Sequence, residues 1–313
     1  MSEIHWRELH QQGRERAVLA RHGKSFHLAS RLLGAAETRR AARLYAFCRY
    51  VDDVADESAD TTAARHRLTA IEADLRRGES SDPRVADFLA LARECDLDLT
   101  PARELLRGVR GDLDTVAIRD NDELRRYCYR VAGTVGLMMC DVLGVSDPRA
   151  RPFAVDLGIA LQLTNIARDV AEDARAGRRY LPASRIGAVA PARLAEPSPE
   201  LRERLRACVA ELLARAEGYY RSGEAGMAFI PARSRLAILV AARVYRAIGL
   251  KLVRREFACW RGRVVVSLPG KLWQVVRALW DHGRRGGHWR LPGSHDARLH
   301  RGLSDLPGTD PES

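Results

Sequence analysis

Apolar residues recur at helical spacing through most of the chain, and strictly alternating runs are scarce. Residues 24–34 and 37–58 read as two helices broken near Gly34, and helices over 61–77 and 83–95 flank the turn-rich GESSDP. Thr100-Pro101 starts another, reaching Ala117. The Asn-Asp-Glu start at 121 opens an apolar segment to 144 that contains Gly133 and Gly136. Each glycine costs about 1 kcal/mol relative to alanine inside a helix, so it serves close helix packing, a kink or room for a ligand. Helices over 150–175, 200–222 and 231–257 follow, with an irregular loop over 177–198. A strand-like run from Arg263 to Ser267 precedes a final helix at 269–283. From residue 284 onward Gly, Arg, His and Pro prevail without periodicity, which predicts a disordered basic tail. The expectation is an all-α, single-domain helical bundle over 1–283 and a tail over 284–313.

Two polar stripes break this apolar pattern. In LQLTNIARDVAEDARAGRRYLP, residues 161–182, Asn165, Asp169 and Asp173 recur every four residues and share one helix face. Asp52 and Asp56 repeat that spacing in YAFCRYVDDVADE, residues 45–57, with Asp53 adjacent. Like charges one turn apart destabilise an isolated helix. Taken alone, either stripe suits a solvated face; taken together, they suit an anionic cage filled by cations. Oxygen ligands of this kind bind Mg²⁺ together with waters and substrate phosphates. Asp112 and Asp114 read as surface charges.

Composition narrows the partners. The 313 residues are 46% hydrophobic and carry a formal charge of +11, which suits nucleic acid, anionic lipid or a phosphorylated substrate. No basic motif interleaved with aromatics resembles a nucleic-acid reader, so no nucleic-acid partner is expected. The six cysteines form no CxxC pair, and a reduced, cytoplasmic setting is expected. The polar N-terminus lacks a signal-peptide core, and no apolar run is long enough to span a bilayer.

HGKSF, YAFCRYVDDVADE, YCYRVAGTVG, LQLTNIARDVAEDARAGRRYLP and RVVVS occur in the order and spacing of the squalene/phytoene synthase family, which the chain resembles from about residue 20 to 275. The resemblance implies an isoprenoid-synthase fold around a central apolar cavity and head-to-head condensation of two prenyl diphosphates. It implies Mg²⁺, with Mn²⁺ as the alternative ion, on Asp52, Asp56, Asn165, Asp169 and Asp173. Tyr45, Arg49, Arg168, Tyr245 and Arg263 match positions that bind diphosphate or steady the leaving group, and Lys271 matches a basic position. Lys24, Ser25 and Phe26 match the flap over the entrance. Tyr127, Val131, Gly136, Leu161 and Gln162 match cavity-lining positions. Within the family, AGTVGLMMCDVLG and the HGKSF opening favour the branch that joins two geranylgeranyl diphosphates to phytoene without NADPH, the first committed step of carotenoid synthesis. A C30 synthase using farnesyl diphosphate is the alternative. Two departures are Gly23, where relatives carry a hydroxyl residue, and one extra residue between Tyr245 and Arg263.

The final helix carries a further signal. Leu272, Trp273, Val275, Val276, Leu279 and Trp280 fall on one side at 100° per residue, opposite Lys271, Gln274, Arg277 and Asp281. Either that side packs on the bundle or it makes a peripheral contact with a membrane.

Overall fold

The computed structural model describes residues 32–56, 60–284 and 290–310. Lys24, Ser25 and Phe26, like Gly23, lie outside the described residues.

Helix boundaries follow local chemistry. Helix α1 (Ala35–Asp56) leads to α2 (Thr61–Arg77), whose N-cap Asp60 accepts from the Thr62 amide and whose C-cap Gly78 takes the left-handed conformation at φ 75°. Asp82 caps α3 (Pro83–Cys95), with proline at the first helical position. Helix α4 (Thr100–Gly111) ends several residues before the expected Ala117, and the chain then extends to an isolated bridge between Ala117 and Arg179.

The expected 121–144 helix is three pieces: α5 (Asn121–Cys128), a π-helical turn (Tyr129–Gly133) and α6 (Thr134–Val142). Then comes α7 (Arg151–Arg175), the central helix. The two glycines are explained here. A Cβ on Gly136 would lie 2.3 Å from the Ala154 carbonyl oxygen, and one on Gly158 would lie 2.3 Å from that of Ala132. The π-turn and α6 therefore press backbone to backbone on α7. Close packing is the reason for Gly136.

The loop after α7 is less irregular than expected, containing the short helices α8 (Ala183–Ile186) and α9 (Ala192–Ala195). Helices α10 (Pro199–Ala225), α11 (Ala232–Arg254) and α12 (Leu268–Arg284) complete the bundle. Among the described residues there is no strand, and Arg263–Ser267 is extended backbone without a ladder partner. One core cluster surrounds α7, α10 and the C-terminal segment, and a second joins α1 to α4.

One expectation about the C-terminal part needs correction. Residues 290–310 are packed, not disordered: Leu303 is fully buried, Leu306 nearly so, and Tyr129 Oη donates to the Pro307 carbonyl at 2.6 Å. Helix α12 seats on α11 through a narrow line, with Ala278 buried, Val275 half-buried and Asp281 bonded to Arg243 at 2.5 Å. Leu272, Trp273, Val276, Leu279 and Trp280 face outward, each at least 50% exposed. No helix among the described residues is long and apolar enough to cross a membrane. All six cysteines are free thiols.

Candidate active site

A cavity of about 720 Å³ runs through the bundle, and its walls gather most of the residues singled out in the sequence. Tyr45, Arg49 and Asp52 enter it from α1, and Val131 and Gly136 from the π-turn and α6. Leu161, Gln162, Asn165 and Arg168 enter from α7; Tyr245, Arg263 and Lys271 come from α11, the extended run and the start of α12. Much of the remaining lining is aliphatic, including Val135, Met139, Leu157, Ile238 and Ile248. The result is an apolar sleeve with one charged end.

At that end the two acid stripes face each other. Arg178, just after α7, donates to Asp56 on α1 at 2.8 Å and so spans the two helices. Burial raises Asp52 to about 7 against the opposing pull of Arg49, and Asp56 and Asp112 push it the same way as burial. Burial also raises Asp173 to about 7, with Asp169 adding to the effect and Arg178 opposing it. Asp112 touches both fields. It was read as a surface charge, yet burial lifts it to about 6, and it accepts hydrogen bonds from Tyr127 at 3.0 Å and Tyr180 at 3.2 Å. Tyr127, expected along the cavity wall, is thus placed on the acidic side, its ring stacked on Tyr180 with centroids 4.8 Å apart.

Arginines offset these carboxylates. Arg168 binds Asp169 through Nε at 2.7 Å and again through Nη2. Arg263 reaches Asp169 at 3.3 Å and Glu172 at 3.5 Å, and Arg49 pairs with Asp53 one turn along α1. Burial works against the charge on Arg168, but the bond to Asp169 together with the nearby charge of Asp169, Tyr245 and Glu172 outweighs it, and the guanidinium is held above its usual range. Burial pushes the Tyr45 hydroxyl up to about 12, with Tyr245 nearby adding to the shift, so Tyr45 is a neutral phenol at physiological pH.

The donor set fits Mg²⁺. It is made of oxygens alone, and Asn165 Oδ1 is buried with no hydrogen-bond partner among the described residues. The carboxylates are not already drawn together around one ion position. Among the described residues, three ligand atoms lie within 4.8 Å of one another only at Asp156, His295 and His300, near the other end of α7.

Comparison with known proteins decides the family. The profile described as squalene/phytoene synthase matches residues 19–269, most of the chain. The chain belongs to that family. It is 41% identical over 266 residues to a 15-cis-phytoene synthase of Enterobacter agglomerans, covering 82% of this chain and 90% of the relative. It is 38% identical to the 15-cis-phytoene synthase of Pantoea ananas, covering 82% and 86%. Among solved structures, a dehydrosqualene synthase in complex with ligand superposes with a TM-score of 0.78 at 27% identity, covering 88% of this chain and 98% of that one. The squalene synthase HpnC from Alicyclobacillus acidocaldarius shares the fold, with a TM-score of 0.67 at 22% identity and coverage of 79% and 96%.

For this squalene/phytoene synthase, sequence reasoning missed three residues at the charged end: Asp112, Glu172 and Arg178. Arg178 lies five residues beyond Asp173 in the same LQLTNIARDVAEDARAGRRYLP run, and Asp112 directly follows the Gly111 that ends α4. Proximity in sequence could have found the first. Nothing in the sequence shows the folding-back that buries the second.

Proposed function

We propose that this protein is a phytoene synthase: it condenses two geranylgeranyl diphosphates head to head, through a cyclopropyl diphosphate, to phytoene. The observation that carries the reading is a long apolar cavity closed at one end by facing acid stripes and arginines, in a chain whose relatives bear that activity. Asp52, Asp56, Asn165, Asp169 and Asp173 would hold Mg²⁺, which when bound neutralises diphosphate and favours its departure.

The residues divide the remaining work. Arg168, Arg263 and Lys271 sit where a diphosphate enters the cavity and offer it positive charge, the preorganised electrostatics that ionisation of an allylic ester requires. Arg168 and Arg263 also pair with Asp169, which holds both guanidinium groups at the charged end. The aliphatic sleeve keeps water from the carbocation and holds each prenyl tail extended. The second ionisation rearranges the ring, and loss of a proton ends the reaction, so no hydride donor is required.

The outer face of α12 supports docking on an anionic bilayer. Two exposed tryptophans lie among leucine and valine, Arg277 is exposed on the same helix, and Arg254 and Arg255 are exposed at the end of α11. Lys271 and Val266 line the cavity at the root of the same helix, so the amphiphilic substrates and hydrocarbon product would pass close to the lipid.

Product analysis tests the assignment. Purified protein with Mg²⁺ and geranylgeranyl diphosphate should give a C40 hydrocarbon without NADPH and none after chelation. A strict NADPH requirement, or product from farnesyl diphosphate only, would move the protein to the C30 branch. Replacing Trp273 and Trp280 by serine should lower sedimentation with anionic vesicles at low salt; unchanged sedimentation removes the docking surface.

A further inference from the structure

The segment 290–310 lies beyond the 19–269 region that the family profile matches, yet it is bound to the middle of the bundle. Its anchor is Asp156 on α7, a fully buried carboxylate. Asp156 Oδ2 accepts from Ser222 Oγ at 2.5 Å and lies 2.6 Å from His295 Nε2; Oδ1 lies 2.8 Å from His300 Nε2. His300 Nδ1 faces the Thr309 carbonyl at 2.8 Å. Both His300 nitrogens are thus engaged, one by the carboxylate on α7 and one by the segment's own backbone, so the ring ties residues 290–310 to the bundle. The N···O separations are hydrogen-bond lengths.

His295 has a second contact. Its ring meets that of Phe153 edge to face, with centroids 5.2 Å apart, and His300 lies behind it at 4.4 Å. Phe153 lines the cavity. It stands sixteen residues before Asp169 on the same helix, about 24 Å along the axis at about 1.5 Å per residue. Its position is over-determined on the other side too: a Cβ on Gly226 would lie 2.3 Å from Phe153 Cβ, so only glycine leaves it this place.

We propose that Phe153, held by His295, is the end wall that sets the longest prenyl chain the cavity accepts, with His295 as a positioning residue that acts through Phe153. This rests on the phytoene synthase reading and assigns a part of the reaction's specificity to a segment outside the family match. The C20 tail of geranylgeranyl diphosphate runs from the charged end toward Phe153, and a tail one isoprene unit longer meets the ring. Without the histidine behind it, the ring is free to tip into the space His295 leaves, and the sleeve lengthens.

The test compares kcat/KM for geranylgeranyl diphosphate with that for geranylfarnesyl diphosphate, one isoprene unit longer, in the full chain. His295→Ala should raise relative use of the longer substrate about tenfold or more, the scale on which apolar pockets discriminate added carbons. His295→Phe, which restores a ring against Phe153 but cannot bond Asp156, should return the ratio toward wild type. A loss of stability alone would move both variants equally and leave the ratio untouched. Should His295→Ala fold poorly by circular dichroism, Phe153→Ala tests the wall directly and should shift the ratio the same way. An unchanged ratio in folded His295→Ala, or in folded Phe153→Ala, overturns the proposal. Wild type that makes no C40 product from geranylgeranyl diphosphate overturns the function assignment instead, a distinguishable result.

Discussion

Helix α7 carries buried acid at both ends of one cavity, and the two sites could hardly differ more. At Asp169 and Asp173 the carboxylates crowd one another and Asp112, and Arg168 on the same helix, with Arg263 and Arg178 beyond it, offsets them. At Asp156, thirteen residues earlier, a single carboxylate is fully buried and receives three donors. The first cluster shares its arginines among several crowded carboxylates; in the second every carboxylate oxygen meets a polar partner inside the core. Crowded, partly open charge suits a ligand-binding role, and closed, fully partnered charge ties the chain.

That contrast can be broken most directly at its catalytic end. Asp169→Asn should lower kcat by about a hundredfold or more, as for other groups that stabilise departing charge, while the melting transition stays near or above that of wild type. Near-native turnover in this variant would remove Asp169 from the site. The reverse pattern is expected from Asp156→Asn. Replacing an oxygen of this buried carboxylate by an amide NH2 leaves Ser222, His295 and His300 with a mismatched partner and should cost about 1–3 kcal/mol, read by denaturant unfolding, while protein that remains folded keeps its activity on geranylgeranyl diphosphate. If Asp156→Asn lost turnover at unchanged stability, the two clusters would not be functionally distinct.

Between the two sites, Gly136→Ala would push a methyl into the Ala154 carbonyl. Overpacking of this kind costs about 1–3 kcal/mol, and unfolding midpoints measured at constant slope would show it.

A further check lies in the pH dependence of the metal-free protein. The folded pKa values of Asp52 and Asp173, about 7, lie above the ordinary carboxylate value, so the folded state holds protons that the unfolded state has released. Stability should therefore fall as pH rises from about 4 to about 7 and level off beyond. Adding Mg²⁺ at pH 8 should recover part of the loss. A metal-free protein whose midpoint rises over that window would contradict the burial assigned to both groups.

How much of this was legible in the sequence depends on range. The helices could be read because apolar periodicity and capping act locally: Asp60, Asp82, Asp120 and Ser198 all stand at helix starts. The acid stripes were legible for the same reason, each lying within one helix. Asp112 was misread because its burial comes from tyrosines 15 and 68 residues away. The C-terminal segment was misread because low hydrophobicity was taken as inability to pack, whereas a few contacts to distant Asp156, Tyr129 and Arg126 suffice. In α12 the periodicity was real, but amphipathic spacing does not say which neighbour, if any, covers the apolar side.

The outward face of α12 also governs how the protein behaves on its own in solution. Five large apolar side chains, each half or more exposed and flanked by arginines, make a surface that like molecules hide against one another when lipid is absent. The flanking charges repel such pairs at low ionic strength, and added salt screens that repulsion within about 10 Å while leaving the apolar attraction intact. Light scattering should therefore increase with both concentration and salt, and mild detergent should reverse it.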